Sequence, residues 1–125
     1  MQLDHMNISA PAALLETVKD FYCEVLQFRV GPRPEFGIHG YWLYSDGVER
    51  AAVHLIEAEG HQPPQRSHLD HVAFNVASLE PIKAALEARE VTFGYLDLAD
   101  FGLEQIQFTD PAGIKIEINS YKSAA

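Results

Sequence analysis

The segment Leu3-Asp4-His5-Met6-Asn7-Ile8 returns as Leu69-Asp70-His71-Val72-Ala73-Phe74, and no other feature constrains the fold as strongly. The copies stand 66 residues apart (71 − 5) in a chain of 125, so each half carries one. Self-similarity on this scale means one supersecondary unit written twice. Each copy is followed by a break and then a helical stripe. In the first half Pro11 opens a segment with Leu14, Leu15, Val18, Phe21, Tyr22, Val25 and Leu26 on one helix face. In the second, Ser78 is the expected N-cap, and Leu79, Ile82, Ala85 and Leu86 supply the stripe.

Short strand-like runs follow each helix, separated by turn residues. The first half gives Phe28 to Val30, Tyr41 to Tyr44, a turn at Asp46-Gly47, then Ala51 to Ile56. The second gives Val91 to Leu96, Glu104 to Phe108, a turn at Asp110-Pro111-Ala112-Gly113, then Ile114 to Ile118. The fold class is therefore α+β, with two βαβββ modules in tandem: residues 1–58 and 68–122, joined by a polar, proline-bearing linker at 59–67. One helix covers one face of a module's sheet, so the other face is expected to meet the second module or a partner subunit. A curved mixed sheet with an open, cup-like surface follows, and concave surfaces are where ligands bind.

Strand alternation selects the side chains that line that cup. His71 is expected opposite Asp70, Val72 and Phe74, and Glu117 opposite Ile114, Ile116 and Ile118. His54 opposes Val53 and Leu55, and His5 opposes Met6 and Ile8. These four ionisable residues also hold matching places in the repeat: His5 with His71, and His54 with Glu117, 63 residues on (117 − 54). A single strand histidine is usually structural or solvent-exposed. Four such groups on cup faces, without a common partner, would be costly to bury. Three imidazoles and a carboxylate suit Zn, Ni, Mn or Fe(II). His5, His71 and Glu117 alone make a two-histidine, one-carboxylate set; His54 either completes it or lines the cup beside it. His39, His61 and His68 fall in loops or beside the linker and are expected in solvent.

Composition limits the partners. Nine Lys and Arg against eighteen Asp and Glu give a formal charge of −9, with no basic cluster, which excludes a phosphate-tracking nucleic-acid surface and disfavours an acidic membrane. No apolar run has the roughly 20 residues of a spanning helix. Cys23 stands alone and the N-terminus has no secretory pattern, so a cytoplasmic location is expected. The partner left is a small molecule, a metal or a second copy of the chain. Phe36, His39, Tyr41, Trp42, Tyr95 and Phe101 are candidates for substrate contact or for core, and Arg66 for an anionic group.

Leu3-Asp4-His5, Phe21 to Phe28, Val53 to Glu57, Leu69 to Phe74 and the run Phe108-Thr109-Asp110-Pro111-Ala112-Gly113 through Glu117 together resemble the vicinal oxygen chelate superfamily. That superfamily groups glyoxalase I, bleomycin-resistance proteins, fosfomycin-resistance enzymes and extradiol dioxygenases. The resemblance covers essentially the whole chain as one domain, 1–125, and implies a glyoxalase-like fold. It also implies a divalent ion held by His5, His54, His71 and Glu117, and chelated by oxygens of a small substrate. Isomerase, lyase or dioxygenase chemistry would follow, with Glu117 able to serve as general base. Homodimers are implied as well. The chain carries His54 where bacterial glyoxalase I has a glutamate, and Ser9-Ala10-Pro11 where that enzyme places an arginine. Bleomycin-binding relatives lack the ligands this chain keeps, which favours an enzyme over a binding or sequestration protein.

Overall fold

The computed structural model describes residues 1–61 and 68–122. Most of the expected linker, Arg66 included, lies outside the described residues. The chain divides into two compact units, Met1–Pro64 and Gln65–Ala125.

The first unit runs β1 (Met6–Ala10), α1 (Ala12–Glu24), β2 (Arg29–Gly31), β3 (Gly40–Tyr44) and β4 (Val53–Glu57). The second runs β5 (Val72–Asn75), α2 (Glu80–Ala88), β6 (Gly94–Leu98), a short 3-10 turn at Ala99–Phe101, β7 (Leu103–Thr109) and β8 (Lys115–Tyr121). Sheet order is β1-β4-β3-β2 in one and β5-β8-β7-β6 in the other. In each sheet the first and last strands of the module pair in parallel, and the remaining pairs are antiparallel. The duplication reaches the register: Asn7 pairs His54 in the first unit, and Ala73 pairs Glu117 in the second. These α+β tandem modules are the architecture the repeat predicts.

Both helices end the same way. Gln27 and Glu90 take positive φ, 63° and 56°, and turn the chain out of the helix. Val91 N–H then reaches back to the Leu86 carbonyl at 2.9 Å, which occupies an otherwise unpaired acceptor. The second helix starts one residue later than its polar signal: Leu79, not Ser78, is the N-cap, while the Ser78 hydroxyl accepts the Glu80 N–H at 3.3 Å.

α1 packs on β1, β3 and β4. Leu15, Val18 and Tyr22 of the helix are fully buried, as are Leu43 and Val53 of the sheet. His54 alternates with buried Val53 and Leu55, so it stands on the face away from α1. In the second unit Ile116 and Ile118 are buried while Lys115, Glu117 and Asn119 alternate with them.

Strand alternation fails at one place. β1 begins at Met6 and β5 at Val72, so His5 and His71 each precede their strand by one residue. Outside the pleat, neighbouring side chains need not oppose each other. Asp4 meets His5, and Asp70 meets His71, where alternation would have kept them on opposite faces.

Candidate metal centre

In the first unit, His5 and His54 stack with ring centroids 3.8 Å apart and planes 13° from parallel. Trp42 lies 4.1 Å from His54 at 10°. Two rings centred about 4 Å from one imidazole cannot share its face, so His54 is sandwiched and only its ring edge remains open. Register explains the contact, since Trp42 of β3 pairs directly with His54 of β4. Burial, joined by the neighbouring His5, pushes the His54 imidazole below its usual range and favours the neutral ring that ligates metals. A cavity of about 550 Å³ opens here, and Asp4, His5, Trp42, Glu49, Arg50 and His54 are among its lining residues.

In the second unit, His71 Nε2 lies 3.5 Å from Glu117 Oε2. The Glu117 side chain is 16% exposed and that of His71 39%. Gln105 of β7 donates from Nε2 to Glu117 Oε2 at 3.1 Å and to Asn119 Oδ1 at 2.9 Å. Gln107 donates in turn to Gln105 Oε1 at 2.5 Å.

The two units repeat one further device. His5 Nδ1 contacts Asp4 Oδ2 at 2.6 Å, and His71 Nδ1 contacts Asp70 Oδ2 at 2.8 Å. An ionised carboxylate only accepts, so each Nδ1 carries the proton, and in the neutral ring Nε2 holds the lone pair. Each aspartate also meets a cation: Arg50 reaches Asp4 Oδ1 at 3.2 Å, and Lys115 reaches Asp70 Oδ2 at 3.4 Å. The histidine contact, then the neighbouring cation, holds each carboxyl below its ordinary value. Carboxylate–histidine pairs of this kind orient metal ligands. Both aspartates belong to the repeat, and their place immediately before each histidine is the sequence signal for this role. Gln105 and Gln107 carried no signal of their own.

The His71–Glu117 pair has the spacing of two ligands of one divalent ion. His71 Nε2 and Glu117 Oε2 are two Lewis bases facing each other, and ligands bonded at about 2.0–2.2 Å to one ion sit ~3–3.5 Å apart. The structure thus brings the four expected ligands together as two pairs, one in each unit. Among the described residues, no group of three or more His, Cys, Asp or Glu is placed to hold a metal ion.

The other candidates lie elsewhere. The Tyr41 hydroxyl donates to Glu16 Oε1 at 2.6 Å, and His39 Nε2 meets the same oxygen at 3.0 Å, on the α1 side of the first sheet. Phe36 is half exposed and tilts toward Trp42, with centroids 6.3 Å apart. Tyr95 donates to Glu104 at 2.7 Å, and Phe101 is 78% exposed. His61 and His68 are exposed, as expected.

The model of the Glyoxalase/Bleomycin resistance protein/Dioxygenase superfamily matches residues 2–118. Among curated proteins, no sequence matches significantly. Solved structures share the fold. A glyoxylase/bleomycin resistance protein/dioxygenase domain from Frankia sp. EAN1pec gives a TM-score of 0.79 at 19% identity, covering 100% of this chain and 95% of its own. An antibiotic binding protein from Streptomyces sp. CB03234 gives 0.66 at 24%, covering 98% and 99%. A fosfomycin resistance protein from Listeria monocytogenes gives 0.71 at 14%, covering 97% and 92%. With nearly its whole length matched by the family model, and its two modules built to one plan, the chain belongs to the glyoxalase/bleomycin resistance protein/dioxygenase superfamily.

Proposed function

We propose that the protein is a divalent-metal-dependent enzyme acting on a small oxygenated substrate, with His5, His54, His71 and Glu117 as its metal ligands. The observation that carries this reading is the duplicated Asp–His pair, which leaves Nε2 of each motif histidine as the ligating atom, in the second unit 3.5 Å from a carboxylate oxygen. When bound, the ion supplies Lewis-acid stabilisation of charge developing on substrate oxygen. Asp4 and Asp70 hold the tautomers, and the stack on His54 holds its ring. Glu117 is the group able to accept a proton from substrate, in isomerase or lyase chemistry; dioxygenase chemistry uses the same ligands. Two copies of the chain form the working homodimer, in the cytoplasm.

A second reading is binding or sequestration of a small molecule without turnover. The cavity beside Trp42 favours it, and one structural relative is an antibiotic binding protein. Metal content separates the two. Protein purified without chelator or affinity-tag nickel is expected to carry near-stoichiometric metal by elemental analysis, and His71→Ala to lose it. A wild type that holds no metal, and that no divalent ion stabilises, leaves the binding reading.

A further inference from the structure

We propose that the third strand of each module positions the metal ligand borne by its fourth: Trp42 positions His54, and Gln105, clamped by Gln107, positions Glu117. The inference rests on the metal reading above.

Strand geometry puts the positioning residues in place. β3 and β4 are antiparallel neighbours, as are β7 and β8. Trp42 stands directly across from His54, and Gln107 directly across from Glu117. Gln105, across from Asn119, reaches diagonally to Glu117. Side chains at such positions share a face within reach of one another.

The two ligands need different restraint, and each gets the kind its chemistry accepts. An imidazole is fixed by covering its faces. With His5 on one face and Trp42 on the other, rotation of the His54 ring out of plane would break two stacked contacts. A carboxylate has no comparable face, and it is fixed by a donor. Gln105 supplies one to Oε2, the same oxygen that faces His71.

A glutamine can present either end of its amide, so something must choose. Glu117 does, because an ionised carboxylate only accepts, so Gln105 presents its amino group to Oε2. The Gln105 carbonyl oxygen is then left to accept from Gln107 Nε2, while its amino group also donates to Asn119 Oδ1. Gln107 therefore holds the far end of the Gln105 amide in the orientation that Glu117 requires.

The test measures zinc affinity by competition with a chromophoric chelator, beside the thermal midpoint of each metal-free protein. Trp42→Leu and Gln105→Met are each expected to weaken zinc about 10- to 100-fold. Their metal-free midpoints should stay within a few degrees of wild type. Gln107→Met should lose less than Gln105→Met, and Trp42→Phe, which still stacks, should keep affinity within a few-fold of wild type. Wild-type zinc affinity in both Trp42→Leu and Gln105→Met overturns the proposal. So does a loss in Trp42→Phe as large as in Trp42→Leu, or a fall in midpoint that tracks the loss of affinity. A wild type that binds no divalent ion overturns the metal reading itself, and is seen before any variant is made.

Discussion

His5 and His71 show how one residue of strand boundary changes chemistry. Within a pleat, an aspartate and the histidine after it point apart. Because each histidine stands just before its strand, the pair closes to hydrogen-bond distance instead, with the shared proton on Nδ1. Away from this site, Glu16 accepts from Tyr41 and His39, and these contacts, the Tyr41 hydroxyl foremost, hold its carboxyl below the usual carboxylate range. A depressed carboxyl contributes stability above its unfolded pKa, and that stability is lost as pH falls through the folded value. Tyr41→Phe should therefore cost about 0.5–1 kcal/mol near neutrality, since Glu16 is partly exposed and screened. It should also flatten the loss of stability from about pH 4.3 downward. Urea unfolding at neutral and acid pH checks this. An equal cost at both would mean that Glu16 is not the group concerned.

At the scale of elements, the turn between β7 and β8 sets the register that carries Glu117. Asp110 is 4% exposed, and its Oδ1 accepts the N–H groups of Ala112 at 2.9 Å and Ile114 at 2.8 Å. Gly113, at φ 86°, completes the turn in a region that side chains avoid. Asp110→Ala leaves two backbone donors without that acceptor and is expected to destabilise by about 1–3 kcal/mol. Asp110→Asn keeps an accepting oxygen and should cost less. Chemical denaturation of both variants checks the order; equal losses would assign the effect to charge rather than to the turn.

For the whole molecule, a formal charge of −9 opposes compaction. Salt screens that repulsion, and it also screens ion pairs such as Lys19 with Asp20 and Arg50 with Asp4. Exposed pairs contribute about 0–1 kcal/mol each, so net repulsion should dominate. Raising ionic strength from about 0.01 M to 0.15 M shortens the Debye length from ~30 to ~8 Å and should raise the thermal midpoint by a few degrees. A fall on scanning calorimetry would show that the pairs matter more. No described helix is long and apolar enough to cross a membrane.

The repeat and its hydrophobic periods determined the two βαβββ modules, the faces of His54 and Glu117, and the four ligand candidates, because burial of one sheet face forces a period of two. The ends of β1 and β5 were less legible, since Leu3 and Leu69 extend the apolar pattern beyond the hydrogen-bonded ladder into exposed chain. Trp42, Gln105 and Gln107 were illegible as partners of the ligands. Their role depends on which residue of one strand stands across from which residue of the next, and pairing register is a relation between segments that neither segment states alone. What the sequence by itself determined is the inventory and the plan. What only the tertiary structure decided is adjacency: Trp42 on His54, Gln105 on Glu117, and an aspartate on each motif histidine.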